Sequence, residues 1–410
     1  MTDATDATDA KGKTGAAGSP RALRPDTLAV RGGLTRSGFD ETSEALYLTS
    51  GFVYATAEEA ESAFKEDIDR FVYSRFANPT VSMFEERLRL LEGAEACFAT
   101  ASGMSAVFVA LAALLGQGDR VVSSRALFGS CFVILDEILP RWGVESVFVD
   151  GCDLEQWREA LSVPTTAVFF ETPSNPMQEL VDLDAVGRLA HAAGAKVVVD
   201  NVFGTPVFSK PLEHGADIVV YSATKHIDGQ GRVLGGAVLG TKDFVEGPVK
   251  NLMRHTGPSL SPFNAWTLVK GLETMSLRVE RQASNALTFA TALEAHPKVT
   301  AVLYPFLPSH PQHELAKAQM GGGGTVVTFL LDGGKDEAFR FLNALQVIDI
   351  SNNLGDSKSL ATHPATTTHR RLGPEGRAAV GITDGTIRIS VGLEDVRDLV
   401  DDVTAALTKV

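Results

Sequence analysis

Lys225 ends the run Ile218-Val-Val-Tyr-Ser-Ala-Thr-Lys225, an apolar stretch that finishes in hydroxyls and an amine. A short run of β-branched and aromatic residues reads as a buried parallel strand, and open α/β sheets bind ligands beyond the carboxyl ends of their strands. Taken alone, a lysine there would do no more than solvate the strand end. Asp200 changes the reading, because it ends a second apolar run, Lys196-Val-Val-Val-Asp200, 25 residues earlier. A desolvated carboxylate without a partner costs roughly several kcal/mol, so a partner is expected. An amine, a carboxylate and the hydroxyls of Ser222 and Thr224 together meet the needs of pyridoxal 5'-phosphate. The amine can bond covalently to its aldehyde, the carboxylate keeps the pyridine nitrogen protonated, and the hydroxyls hold the phosphate.

The elements that must position these groups follow a βα rhythm. Residues 96–105 read as strand, tight turn and helix, the helix running on to Leu115; a Ser-Gly turn into a helix presents backbone amides and the positive end of a dipole to an anion. Strands are expected over 120–123, 143–149 and 167–171, with helices over 153–161 and 184–193, the crossover pattern of a mostly parallel sheet. A long amphipathic helix over 264–295 is expected to join two domains. Beyond it, 325–330 reads as a strand, and 386–394 alternates like another, with Arg388 between apolar neighbours. A guanidinium placed so is either a salt-bridged edge residue or a fork for a carboxylate, since it stays charged wherever it is put.

Length and composition narrow the function classes. At 410 residues, 44% apolar and 21% charged, the chain is a globular protein with room for two cores, because single cores rarely grow past about 250–300 residues. A formal net charge of −14 argues against nucleic acid or anionic membrane as the main partner. Cys97, Cys131 and Cys152 are too few and scattered for a disulfide framework or a Cys-x-x-Cys site, and read as free thiols in a reducing cytoplasm. Residues 1–20 repeat Thr-Asp-Ala without a basic start or an apolar stretch and read as a disordered tail. The longest apolar stretches, such as 107–115, fall far short of the ~20 residues of a membrane span.

The Asp200-Asn201 pair, Ser222-Ala-Thr-Lys225 and Tyr73-Ser-Arg-Phe-Ala-Asn-Pro-Thr80 resemble the Cys/Met-metabolism family of pyridoxal phosphate enzymes, and the resemblance runs from about Leu28 to the C-terminus. It implies an α/β, fold-type I architecture of the aspartate aminotransferase kind, with a mostly parallel large-domain sheet and a smaller α+β C-terminal domain. After a tail over 1–24, an arm over 25–75 would wrap a neighbouring subunit, 76–270 would bind the cofactor, and 271–410 would form the C-terminal domain. By the same resemblance, the amides of Gly103 and Met104 bind the phosphate with Ser222 and Thr224, and Tyr73 and Arg75 reach the phosphate of an adjacent subunit. That implies a homo-oligomer, expected to be a tetramer. Asn175 is implied to bond the cofactor's ring oxygen, Arg388 to grip the substrate α-carboxylate bidentately, and Asn353 to contact substrate where serine often stands.

Two departures refine the expectation. Phe128 occupies a position where most of the family has a stacking tyrosine; it can stack but has no hydroxyl for proton transfer, which leaves that work to Lys225. The loop after Lys225, His226-Ile-Asp-Gly-Gln-Gly-Arg-Val-Leu-Gly-Gly236, resembles the family's sulfhydrylase branch. His226 has no second histidine at ligand spacing, so no metal is expected. The reaction implied is γ-replacement on O-succinyl-L-homoserine, sulfide displacing succinate to give L-homocysteine in methionine biosynthesis, with Arg125 or Arg232 pairing with the distal carboxylate. Cystathionine γ-synthase, O-acetylhomoserine sulfhydrylase and γ-lyase activities stay open, as does a non-catalytic phosphate-binding protein.

Overall fold

The computed structural model describes residues 23–410; all but the last two residues of the tail expected over 1–24 lie outside the described residues. Seven strands form the large sheet: β1 (Ala96–Thr100), β2 (Arg120–Ser124), β3 (Glu145–Val149), β4 (Ala167–Glu171), β5 (Lys196–Asp200), β6 (Ile218–Ser222) and β7 (Gly236–Gly240), in the order β1-β7-β6-β5-β4-β2-β3. Every neighbouring pair is parallel except those that β7 makes with β1 and β6. The inner strands are buried on both faces, which their unbroken Val, Ile and Phe runs demand. Because β1 therefore runs in the same direction as β4, β5 and β6, the carboxyl ends of all four open on one edge of the sheet.

β7 was not foreseen, since 226–236 reads as a glycine-rich loop. Its glycine meets a close approach: a Cβ on Gly236 would sit 2.3 Å from the Ser102 carbonyl oxygen, so the residue that suggests a loop is what lets this strand slide beside β1.

The helix expected over 264–295 is two helices, Pro262–Glu273 and Met275–Glu294. At the break, Arg278 donates to the Gly271 carbonyl at 2.8 Å and to Thr274 Oγ1 at 3.3 Å, contacts that helical periodicity cannot reveal. The other strands and helices expected from the sequence match to within a few residues, as boundaries read from periodicity do, while several strands and helices of the C-terminal part carry no signal read from the sequence.

A second sheet gathers β8 (Val299–Leu303), β9 (Val326–Leu331), β10 (Asp349–Ile350), β11 (Leu360–Thr362) and β12 (Thr386–Ser390) in the order β10-β11-β12-β9-β8. Ile387 and Ile389 of β12 enter the same core as Phe329, Phe341, Phe289 and Leu399. The period-2 alternation of a strand then puts Arg388 on the opposite face, in register with Thr328 and Thr362. No helix among the described residues is long and apolar enough to cross a membrane.

Candidate active site

A cavity of about 220 Å3 opens where the carboxyl ends of β1, β5 and β6 meet segments of the second sheet; Gly103, Met104, Phe128, Asn175, Asp200, Ser222, Thr224, Lys225 and Arg388 line it. One rim is the helix Gly103–Ala112. Ser102 caps it by accepting from the Ser105 amide at 3.2 Å, which leaves the first two helical amides, those of Gly103 and Met104, without an intrahelical acceptor. A Cβ on Gly103 would lie 2.4 Å from Ser222 Cβ. Glycine is thus required for the helix start to close on the end of β6, where Ser222 faces the cavity and Thr224 Oγ1 accepts from the Gly235 amide at 3.1 Å.

Lys225 stands just past β6. Its Nζ donates to Asn353 Oδ1 at 2.5 Å. Burial, helped by the positive charge of Arg388 and opposed by Asp200, lowers its pKa to about 8. Asp200 closes β5 and accepts from the Val202 amide at 3.1 Å; in register beside it, at the end of β4, is Glu171. Both carboxyls are pushed above the ordinary range, each chiefly by burial, and Glu171 further by the charge of Asp200. Cys131 Sγ lies within 4.8 Å of both. Buried carboxylates side by side favour a cationic partner between them and the solvent.

Arg388 is wholly buried. Nη1 donates to Asn175 Oδ1 at 3.0 Å, and Nη2 to the carbonyls of Asn352 and Asn353 at 2.9 and 3.1 Å. Its Nε has no acceptor, and no carboxylate pairs with it among the described residues. Burial lowers its pKa to about 10. A buried guanidinium that meets only neutral oxygens is a ready receptor for a small carboxylate.

These residues fit pyridoxal 5'-phosphate. Two free helix-start amides and the Ser222 hydroxyl converge on a cradle that a Cβ at 103 would fill; Lys225 offers an amine of lowered basicity; and the Asp200–Glu171 pair meets the need of a protonated ring nitrogen. The chain belongs to the Cys/Met metabolism PLP-dependent enzymes, whose family model it matches over residues 26–408. It is accordingly a pyridoxal phosphate-dependent enzyme of the aspartate aminotransferase-like, fold-type I class. The O-succinylhomoserine sulfhydrylase of Mycobacterium tuberculosis is 64% identical to it over 399 residues, covering 95% of this chain and 98% of that one. The O-succinylhomoserine sulfhydrylase of Pseudomonas aeruginosa is 49% identical over 383 residues, 93% of this chain and 94% of that one. The crystal structure of a Campylobacter jejuni O-acetylhomoserine (thiol)-lyase carrying N'-pyridoxyl-lysine-5'-monophosphate superposes with a TM-score of 0.90 at 31% identity, over 94% of this chain and all of its own.

The structure brings most, not all, of the expected residues together. Asn353 joins the site through its bonds to both Lys225 and Arg388. Tyr73 and Arg75 do not line the cavity of their own chain: Arg75 donates to the Arg254 carbonyl, and Tyr73 is 40% exposed. Neither arginine expected at the distal carboxylate lines it. Asp228 holds Arg232 through its backbone amide and Nε at 2.6 and 2.9 Å, and Gln156 accepts from Arg125 at 3.1 Å. His226 is a buried structural group whose Nε2 meets Thr325 Oγ1 at 2.7 Å, burial driving its pKa down to about 3. Glu171, Cys131 and Asn352 line the cavity but were given no role from sequence. Glu171 carries the signal used for Asp200, an apolar strand that ends in a carboxylate.

Proposed function

We propose that the protein is an O-succinyl-L-homoserine sulfhydrylase, which replaces succinate by sulfide to give L-homocysteine in methionine biosynthesis. The observation that carries this reading is Arg388, a buried guanidinium that no carboxylate pairs with among the described residues and that shares Asn353 with Lys225. It can hold an α-amino acid by its carboxylate with the amino group turned to the lysine. The relatives' names supply the choice of ester and nucleophile.

Bound pyridoxal phosphate supplies an electron-withdrawing ring that acidifies the protons on the substrate's Cα and Cβ. Asp200 would keep a proton at the ring nitrogen, Phe128 would cover the ring face, Asn175 would bond its oxygen, and the amides of Gly103 and Met104 would hold the phosphate with Ser222 and Thr224. Arg388 fixes the carboxylate, which orients the Cα proton toward Lys225. With its pKa lowered to about 8, chiefly by burial, the Lys225 amine gives up its proton more readily than an ordinary lysine, so it can take and return protons; among the described residues of its own chain no tyrosine lines the cavity. The Cγ–O bond breaks with its electron pair going to succinate, and hydrosulfide forms the Cγ–S bond.

Among the described lining residues the cations are Lys225 and Arg388, so neither the succinyl carboxylate nor that of a cysteine nucleophile meets a further cation there, and the choice of sulfide rests on the relatives. O-Succinylhomoserine supplied with equal sulfide and cysteine should yield mostly homocysteine. Mostly cystathionine would make the protein a cystathionine γ-synthase instead.

Tyr73 and Arg75, placed outside the cavity of their own chain, serve the phosphate of a neighbouring copy, and the working form is a cytoplasmic homotetramer. Light scattering on the purified protein tests the assembly. Arg75→Ala should weaken cofactor binding with the assembly retained; unchanged binding would remove Arg75 from the phosphate site.

A further inference from the structure

Glu171 is a buried carboxyl in the cavity to which the chemistry above gives no task. Its position is defined on two sides. Oε1 accepts from the Phe128 amide at 2.6 Å, and Phe128 immediately precedes the short helix Gly129–Val133. On the other side Glu171 pairs in register with Asp200, one strand over. Its side chain is almost wholly buried. A carboxyl so enclosed is an expensive way to fix backbone amides, since a neutral side chain accepts such bonds equally well.

We propose that Glu171 is a positioning residue for the cofactor ring, fixing the Phe128 backbone that carries the stacking ring and, as a neutral acid, aiming the neighbouring Asp200 carboxylate at the ring nitrogen. The inference rests on the cofactor-binding roles assigned above to Phe128 and Asp200. The geometry gives Glu171 separate work for its two oxygens. Oε1 accepts from Phe128, and with a carboxyl oxygen of each residue within 4.8 Å of the other the other Glu171 oxygen can carry a proton beside Asp200, which ionises when the ring nitrogen is protonated. Burial and the Asp200 charge both favour that protonated form. Cys131 Sγ, from the helix behind Phe128, is the remaining titratable neighbour, and its own burial keeps it a thiol.

Three variants test this, read by pyridoxal phosphate binding to the apoenzyme and by the circular dichroism of the bound cofactor's visible band, neither of which depends on the substrate. Glu171→Gln keeps an oxygen for Phe128 and a neutral donor for Asp200, so affinity within about threefold of wild type and an unchanged band are expected. Glu171→Asp keeps the acid but is one methylene too short for the Phe128 amide; about tenfold weaker binding and a diminished band are expected, the scale of one lost hydrogen bond to a charged or acidic group. Combining Glu171→Asp with Phe128→Ala should be little worse than Phe128→Ala alone, because the two act through one ring. A Glu171→Gln variant as impaired as Glu171→Asp, or additive losses in the double variant, would overturn the proposal. Failure of the sulfhydrylase reading would leave these binding results untouched, so the two fail separately.

Discussion

Replacing Arg388 by methionine separates function from folding. The guanidinium makes three hydrogen bonds, all to neutral oxygens, and its Nε makes none. If the substrate carboxylate is its intended partner, truncation leaves that carboxylate desolvated without its pair, which costs about 2–5 kcal/mol for buried charge pairs. At 1.36 kcal/mol per decade, kcat/KM for O-succinylhomoserine should fall about 30- to 5,000-fold, chiefly through KM. The fold loses little, because a buried charge without a counter-ion disappears while three carbonyls lose a donor, effects of opposite sign. A change in Tm of no more than about 5 °C is expected. Arg388→Lys should fall between wild type and methionine, since a point charge cannot fork. The assay is the initial rate of homocysteine formation at saturating sulfide with the ester varied, run beside thermal denaturation of each variant. Activity within tenfold of wild type would refute the carboxylate role, and a collapse of Tm would show that Arg388 is a structural residue instead.

Lys225→Ala should give a folded protein that binds pyridoxal phosphate without covalent attachment and shows no turnover; normal turnover would end the proposed role of that amine. In the cofactor-free protein Lys225→Met should be stabilising near pH 7, by an amount that shrinks as the pH rises from about 8 to about 10.4. The folded lysine gives up its proton first, so the burial cost of its charge is fully present below pH 8 and relieved across that window; a gain that grows with pH in urea titrations would contradict this. Asp200→Asn should lower kcat by about 30-fold or more, the loss of a buried charged hydrogen bond to the ring nitrogen, with cofactor still bound by its phosphate; unimpaired turnover would free Asp200 of the role. Gly103→Ala drives a methyl to 2.4 Å from Ser222 Cβ and should cost about 1–3 kcal/mol of stability together with cofactor affinity, and an unshifted Tm would show that the helix start can retreat.

The sequence made the strand-borne half of the site legible. Apolar runs ending at Asp200 and Lys225 mark strand ends, and strand ends of a parallel sheet share an edge. Alternation in 386–390 likewise places Arg388 opposite the isoleucines that enter the core. What stayed hidden depends on distances between segments remote in sequence. Nothing local marks Asn353 Oδ1 as the acceptor for Lys225, or Asp228 as the residue that turns Arg232 away from the cavity. β7 was concealed because its glycine signals a turn in one dimension and a close approach in three. Glu171 carries the signal of Asp200, an apolar strand ending in a carboxylate, but that the two lie side by side depends on the register of β4 against β5.

The bonds that tie Lys225 to Asn353 and Arg388 to Asn175 each run from one sheet's territory to the other's. They are made by the same two cations that a bound amino acid must recruit. Loading the site is therefore an exchange of partners, in which the cofactor's aldehyde takes Lys225 from its tether and the substrate's carboxylate competes with an amide oxygen for Arg388. Ligand occupancy and the grip of one sheet on the other are linked quantities, so the cofactor alone would loosen one tether and leave its twin fastened.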